Sequence, residues 1–104
     1  MDLAVLKQLV LKRGYRATIH AAYEMDEDNL TIGDILQSMH SCELLENYPH
    51  SEPFPSCLIL GFNAYGEPIH MVWGYDEEDN EAILITIYRP NPGLWVKYKE
   101  RRKK

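Results

Sequence analysis

An α+β fold is expected, because helix signals fill the first forty residues, strand signals fill most of the rest, and the strands are joined by connections too short for crossover helices. The arrangement these signals predict is two or three N-terminal helices packed on one face of a four-stranded antiparallel β-meander. The chain has 104 residues, 45% of them hydrophobic, which suits one core that needs no disulfide or metal. A single α+β domain over residues 1–96 is expected, followed by a basic C-terminal tail over 97–104.

Each element has a local reason. Asp2 can cap a first helix that carries Leu3, Leu6 and Val10 at helical spacing and runs to about Arg13, with Gly14 as its stop. A second helix starts after Thr18, carries Ile19, His20, Tyr23 and Glu24, and ends in the acidic stretch Asp26 to Asn29. Thr31 and Asp34 form a capping box for the third, with Leu30 and Ile35 as its hydrophobic staple and an end near Ser41. Glu43 to Tyr48 reads as a short edge strand closed by Pro49, Pro53 and Pro55. Three stronger strands follow, Ser56 to Asn63, Pro68 to Tyr75 and Ala82 to Arg89, with turns at Tyr65-Gly66 and at Asp76 to Asn80. The segment from Leu94 is expected to add a last short helix, with Trp95 anchoring it to the domain.

A two-residue turn at Tyr65-Gly66 and a turn centred on Glu78 would place Leu58, Leu60, Phe62, Ile69, Met71, Trp73, Ile83, Ile85 and Ile87 on the helix-covered face. The opposite face would then carry Ile59, Gly61, His70, Val72, Gly74, Thr86 and Tyr88, with room beside Gly61. His70 and Tyr88 are diagonal neighbours in that register.

Charge divides the chain sharply. Residues 1–96 hold five Lys or Arg against fifteen Asp or Glu, whereas residues 97–104 hold six Lys or Arg and Glu100. An acidic body repels nucleic acid over most of its surface, so RNA would have to approach a restricted region. No apolar stretch is long enough to span a membrane, so no membrane partner is expected. The start of the chain carries no secretory signal, and a cytoplasmic location is expected. Cys42 and Cys57 are expected as free thiols. No cofactor is indicated, and no metal site is expected, since His40, Cys42, His50 and Cys57 lack regular ligand spacing.

Several motifs in order carry a family resemblance: His20-Ala21, Glu24-Met25, Thr31 to Ile35, Pro55 to Gly61, Pro68 to Val72, and Ile85 to Tyr88 followed by Pro90 and Pro92. With this order and spacing the chain resembles the bacterial domain of unknown function family 4258 over nearly its whole length. That family is similar to the BrnT and RelE type toxins, small α+β ribonucleases that cut messenger RNA and are restrained by a partner antitoxin. The resemblance therefore implies a RelE/BrnT-like fold, a metal-independent endoribonuclease activity, an RNA substrate and an antitoxin partner. Two positions depart from the family pattern: Glu24 stands where Arg is usual, and Arg89 where Glu is usual.

RNA cleavage without a metal needs a group to take the 2′-hydroxyl proton, a group to protonate the leaving oxygen, and a cation for the transition-state charge. His70 with Tyr88 is the first candidate pair, on the lighter sheet face, with Arg89 next along the strand. His20 and Glu24 lie one helical turn apart, where the carboxylate could orient the imidazole. Arg89 and the tail residues Lys99, Arg101 and Arg102 are the candidate phosphate holders. The structural alternative makes His70 a strand histidine bonded to Thr86 or Tyr88, and His20 a helix residue bonded to a neighbouring loop. A rival function is a non-catalytic interaction domain, in which the edge strand Glu43 to Tyr48 accepts a partner chain or a second copy in a homodimer.

Overall fold

Side-chain caps begin all three helices where the sequence places them. In the computed structural model, which describes residues 2–103, Asp2 Oδ1 accepts from the Ala4 amide at 2.9 Å and opens α1 (Leu3–Leu11). Thr18 Oγ1 accepts from the Ala21 amide at 3.1 Å and opens α2 (Ile19–Glu27). Thr31 and Asp34 form the full capping box of α3 (Ile32–His40). Each cap satisfies backbone donors that a helix start leaves without partners.

The sheet differs from the expected meander. It has five strands in the order β1-β5-β4-β3-β2, formed by β1 (Tyr15–Ala17), β2 (Glu43–Tyr48), β3 (Ser56–Phe62), β4 (Pro68–Asp76) and β5 (Glu81–Tyr88). The four strands expected are present and antiparallel. The fifth, β1, lies parallel to β5 and makes the sheet mixed. Three residues between Gly14 and Thr18 are too few to show an alternation pattern, so β1 leaves no periodic signal.

The face assignment also changes, and two local features explain it. Phe62 pairs with Pro68 and the Asn63 amide bonds to Glu67 O, so the β3–β4 loop holds five residues instead of two. That slips β3 by one residue, and one residue exchanges the faces. Cys57 and Ile59 therefore face the helices, while Leu58 and Leu60 lie on the opposite side. On β5 a bulge at Ile85 lets both Leu84 and Ile87 enter the helix-side core. Ile83 and Ile85 are consequently not in that layer. Ile69, Met71, Trp73 and Ile87 are in it as expected, packed against Leu6, Val10, Ala21, Ile35 and Met39. Gly61 sits where α3 crosses the sheet: a Cβ there would fall 2.7 Å from Ser38 Cβ.

The outer face is closed rather than open. Leu58, Leu60, His70 and Ile83 are buried there. Part of the cover is the loop after β2, since a Cβ on Gly74 would meet Phe54 at 3.4 Å. The rest is a hairpin, β6 (Trp95–Val96) with β7 (Glu100–Arg101), formed where a short helix was expected. Its turn places Lys97 and Tyr98 at φ 52° and 64°. Left-handed positions in a short connection such as this three-residue one, 97–99, normally carry Asn or Gly, so Lys-Tyr hides the hairpin from a sequence reading. Lys99, Arg101 and Arg102, expected in a tail, belong to this folded hairpin and its flank, and Lys104 lies outside the described residues.

Candidate functional site

The first part of the β5 edge is covered by β1, and the chain then turns at Thr18 so that α2 runs along the remainder. Ten helical residues advance about 15 Å and five strand residues about 16 Å, so helix side chains fall opposite successive edge groups. The Thr18 amide bonds to Leu84 O and its hydroxyl to Ile85 O, both at 3.0 Å. Glu24 Oε1 accepts from the Ile87 amide at 3.2 Å, and Asp28 Oδ2 accepts from the Arg89 amide at 3.0 Å. A helix thus does for this edge what a sixth strand would do.

Glu24 Oε1 has two further donors, the Thr86 hydroxyl and His20 Nε2, the latter at 3.1 Å. The carboxylate side chain is only 20% exposed while that of His20 is 70% exposed. His20 Nε2–H is directed at Glu24, and Nδ1 has no hydrogen-bond partner among the described residues. A half-buried anchor therefore fixes the position of an exposed imidazole. The expected pairing of His20 with Glu24 on one helix face is present. The structure adds Thr86 and the Ile87 amide as the groups that hold it.

His70 and Tyr88 are direct cross-strand partners, not diagonal ones, because the β4–β5 turn holds four residues, 77–80, and the bulge at Ile85 shifts the register once more. Tyr88 Oη donates to His70 Nδ1 at 3.1 Å, and His70 Nε2–H donates to Tyr98 O at 2.6 Å. The ring also meets Trp95 edge to face, with centroids 4.5 Å apart. His70 is fully buried, and burial holds its imidazole below the ordinary value despite the Tyr98 carbonyl, so it is neutral near pH 7. Burial, with Glu46 and Glu24 adding to it, raises the Tyr88 phenol. In this conformation His70 is a satisfied core histidine that ties the hairpin to the sheet, and no substrate reaches it.

The candidate cations separate into two groups. Arg89 follows Tyr88 at the far end of α2, bonded through Nε to Asp28 O at 3.0 Å and through Nη1 to Glu67 at 3.2 Å. The amide of Asn63 and then Arg89 hold the Glu67 carboxyl below its usual range. Lys99 pairs with Glu43 at 3.1 Å, and Arg101 grips Glu46 at 3.0 and 3.1 Å while lying over Trp95. Arg102 Nε donates to Pro92 O at 2.8 Å. Glu43 and Glu46 belong to β2, three strands and about 14 Å across the sheet from β5. The structure therefore brings His20 and Arg89 to the α2–β5 seam, turns the Tyr88 hydroxyl to His70 on β4, and places Lys99 and Arg101 at the opposite edge.

Asp28, as the acceptor for the Arg89 amide, is the contributor a sequence reading misses, and Thr86, expected as an alternative partner of His70, bonds to Glu24 instead. The Glu24 and Asp28 spacing is the signal for Asp28, since i and i+4 put two carboxylates on one side of α2. Among the described residues, no three His, Cys, Asp or Glu side chains gather as metal ligands, and no helix is long and apolar enough to cross a membrane. No curated protein and no solved structure matches the chain. The family model described as Domain of unknown function (DUF4258) matches residues 17–89, from the end of β1 through Arg89, and the chain belongs to that family.

Proposed function

We propose that the chain is a RelE/BrnT-like, metal-independent RNA-cleaving toxin module of a toxin–antitoxin pair, with its chemistry at the α2–β5 seam. The observation that carries this reading is the exposed His20 imidazole held by a carboxylate that is itself fixed to the sheet edge. His20 Nδ1 takes the 2′-hydroxyl proton, the 2′-oxygen bonds to phosphorus, and the bond to the 5′-oxygen breaks. Tyr88 gives its proton to that leaving oxygen by exchanging its bond to His70 Nδ1 for one to the substrate. Arg89 sits about eight helical residues, or 12 Å, from His20, so it holds a flanking phosphate in place of Glu67. His70 acts only through Tyr88, as a positioning residue.

The test is induced expression in bacteria of the wild type, His20→Ala and Tyr88→Phe, following growth and messenger RNA integrity. Growth arrest with cleaved transcripts, relieved by His20→Ala at equal soluble expression, supports the reading. Normal growth with intact RNA overturns it. A second reading, a non-catalytic interaction domain, rests on a different observation: Arg89, Lys99 and Arg101 are each engaged by a glutamate, and both nitrogens of His70 are occupied. That domain leaves RNA intact in the same experiment. Association through the β2 edge, including a homodimer, would then appear in sedimentation.

A further inference from the structure

The β6–β7 hairpin follows the family-matched residues 17–89 and covers a pair, His70 and Tyr88, that lies within them. It is bonded largely to itself. The Leu94 and Trp95 amides bond to Asn91 O, the Lys99 amide to Val96 O and the Arg102 amide to Leu94 O, so these backbone bonds close within residues 91–102. Lys97 and Tyr98 hold positive φ without being glycine, a conformation that persists only where surrounding contacts impose it. Those contacts reach β4 and β2. Tyr98 O accepts from His70, Trp95 packs on the same ring, Lys99 pairs with Glu43, and Arg101 pairs with Glu46. The ion pairs are the part of this hold that solvent reaches: the Arg101 and Lys99 side chains are 64% and 51% exposed. Pairs so exposed yield to salt and to competing anions.

We propose that the hairpin is an autoinhibitory strap over the His70–Tyr88 pair, held shut by Lys99–Glu43 and Arg101–Glu46 and released when RNA phosphates take those two cations. What the strap inhibits rests on the RNA-cleaving reading above; that it can open rests on its contacts alone. Closed, it keeps Tyr98 O on His70 Nε2 and the Trp95 ring over the imidazole, while Tyr88 stays bonded to His70 Nδ1. Open, it leaves the Tyr88 hydroxyl free to turn from His70 to a leaving oxygen. The chain's charge fits this exchange. Residues 97–104 hold six Lys or Arg and Glu100, so the strap is the part of an acidic chain that a polyanion approaches first. Once Lys99 and Arg101 leave β2, the left-handed turn loses two of the contacts that impose it.

The test reads access to His70 in the whole chain with diethyl pyrocarbonate, located by peptide mass spectrometry, with the exposed His20, His40 and His50 as internal references. Glu46→Gln keeps an oxygen for Tyr48 but loses the charge that holds Arg101, and should speed His70 modification about threefold or more. The double change Lys97→Asn, Tyr98→Gly suits the left-handed turn and should slow it. Added salt and a single-stranded oligoribonucleotide should each speed it in the wild type. RNA cleavage should follow the same order, with Glu46→Gln above wild type, wild type above the double variant, and circular dichroism unchanged. His70 modification that ignores salt, RNA and both variants overturns the strap. Ordered access with equal cleavage in all three proteins overturns its inhibitory role. Ordered access with RNA intact throughout supports a releasable hairpin and overturns the RNA-cleaving reading instead.

Discussion

Glu24→Ala removes the acceptor for three donors at once. Two of them, the Ile87 amide and the Thr86 hydroxyl, belong to an edge that no strand covers, and the third is His20. A hydrogen bond to a charged acceptor contributes about 1.5–3 kcal/mol when shielded, and an orphaned buried donor costs about 1–3 kcal/mol. Glu24 retains 20% side-chain exposure, so water recovers part of this, and the expected net loss is about 2–3 kcal/mol. In a domain of this size that lowers Tm by on the order of 10 °C or more. His20→Ala breaks one contact of a side chain that is 70% exposed, and its cost should stay under about 0.5 kcal/mol. Glu24→Gln keeps an acceptor for the sheet and should restore most of the stability. Urea unfolding of the three variants measures these values. A Glu24→Ala protein within about 0.5 kcal/mol of wild type would refute the anchoring role, as would equal losses for Glu24→Ala and His20→Ala.

Other expectations follow from the same contacts. Gly61→Ala forces a methyl to 2.7 Å from Ser38 Cβ in a packed layer and should cost at least about 2 kcal/mol, read as a fall in the urea midpoint at unchanged m. Because burial lowers the His70 value, the unfolded chain takes up a proton that the folded one refuses. Stability is full above about pH 6.5 and falls as the pH drops below it. Unfolding at pH 7.5 and 5.5 should therefore show a fall that His70→Gln reduces. Glu46, held low chiefly by Arg101, adds a further loss only below about pH 4.5. Trp95→Ala removes both the ring against His70 and the platform under Arg101, so trypsin should cut at Lys97 and Lys99 faster while the far-ultraviolet spectrum persists. Unchanged cleavage would show that these contacts do not hold the hairpin.

What could be read from the sequence were the features written in local chemistry. The capping residues Asp2, Thr18 and Thr31 mark three helix starts, and apolar runs bounded by turn residues mark β3, β4 and β5. The expected His20–Glu24 and His70–Tyr88 pairings both exist as contacts. Features set by tertiary context were hidden. Tyr15–Ala17 becomes a strand because β5 offers a parallel edge, not because of its own pattern. The faces of β3 turned on whether the Tyr65-Gly66 region held two loop residues or five. The bulge at Ile85 has no composition signal. The hairpin over His70 depends on two non-glycine residues at positive φ, and its closure reverses the expectation of an open outer face. His20, by contrast, gains its fixed position from Thr86 and Ile87, sixty-odd residues away in the chain.

The central claim is that His20 performs proton transfer on RNA. Its most direct test is incubation of the purified chain with a single-stranded oligoribonucleotide in the presence of a chelator, with the cut ends identified by mass spectrometry. The account predicts 2′,3′-cyclic phosphate ends, no cut at a position given a 2′-deoxy sugar, and loss of cleavage in His20→Ala with folding intact. Cleavage that survives His20→Ala, or its absence from the folded wild type, would contradict it.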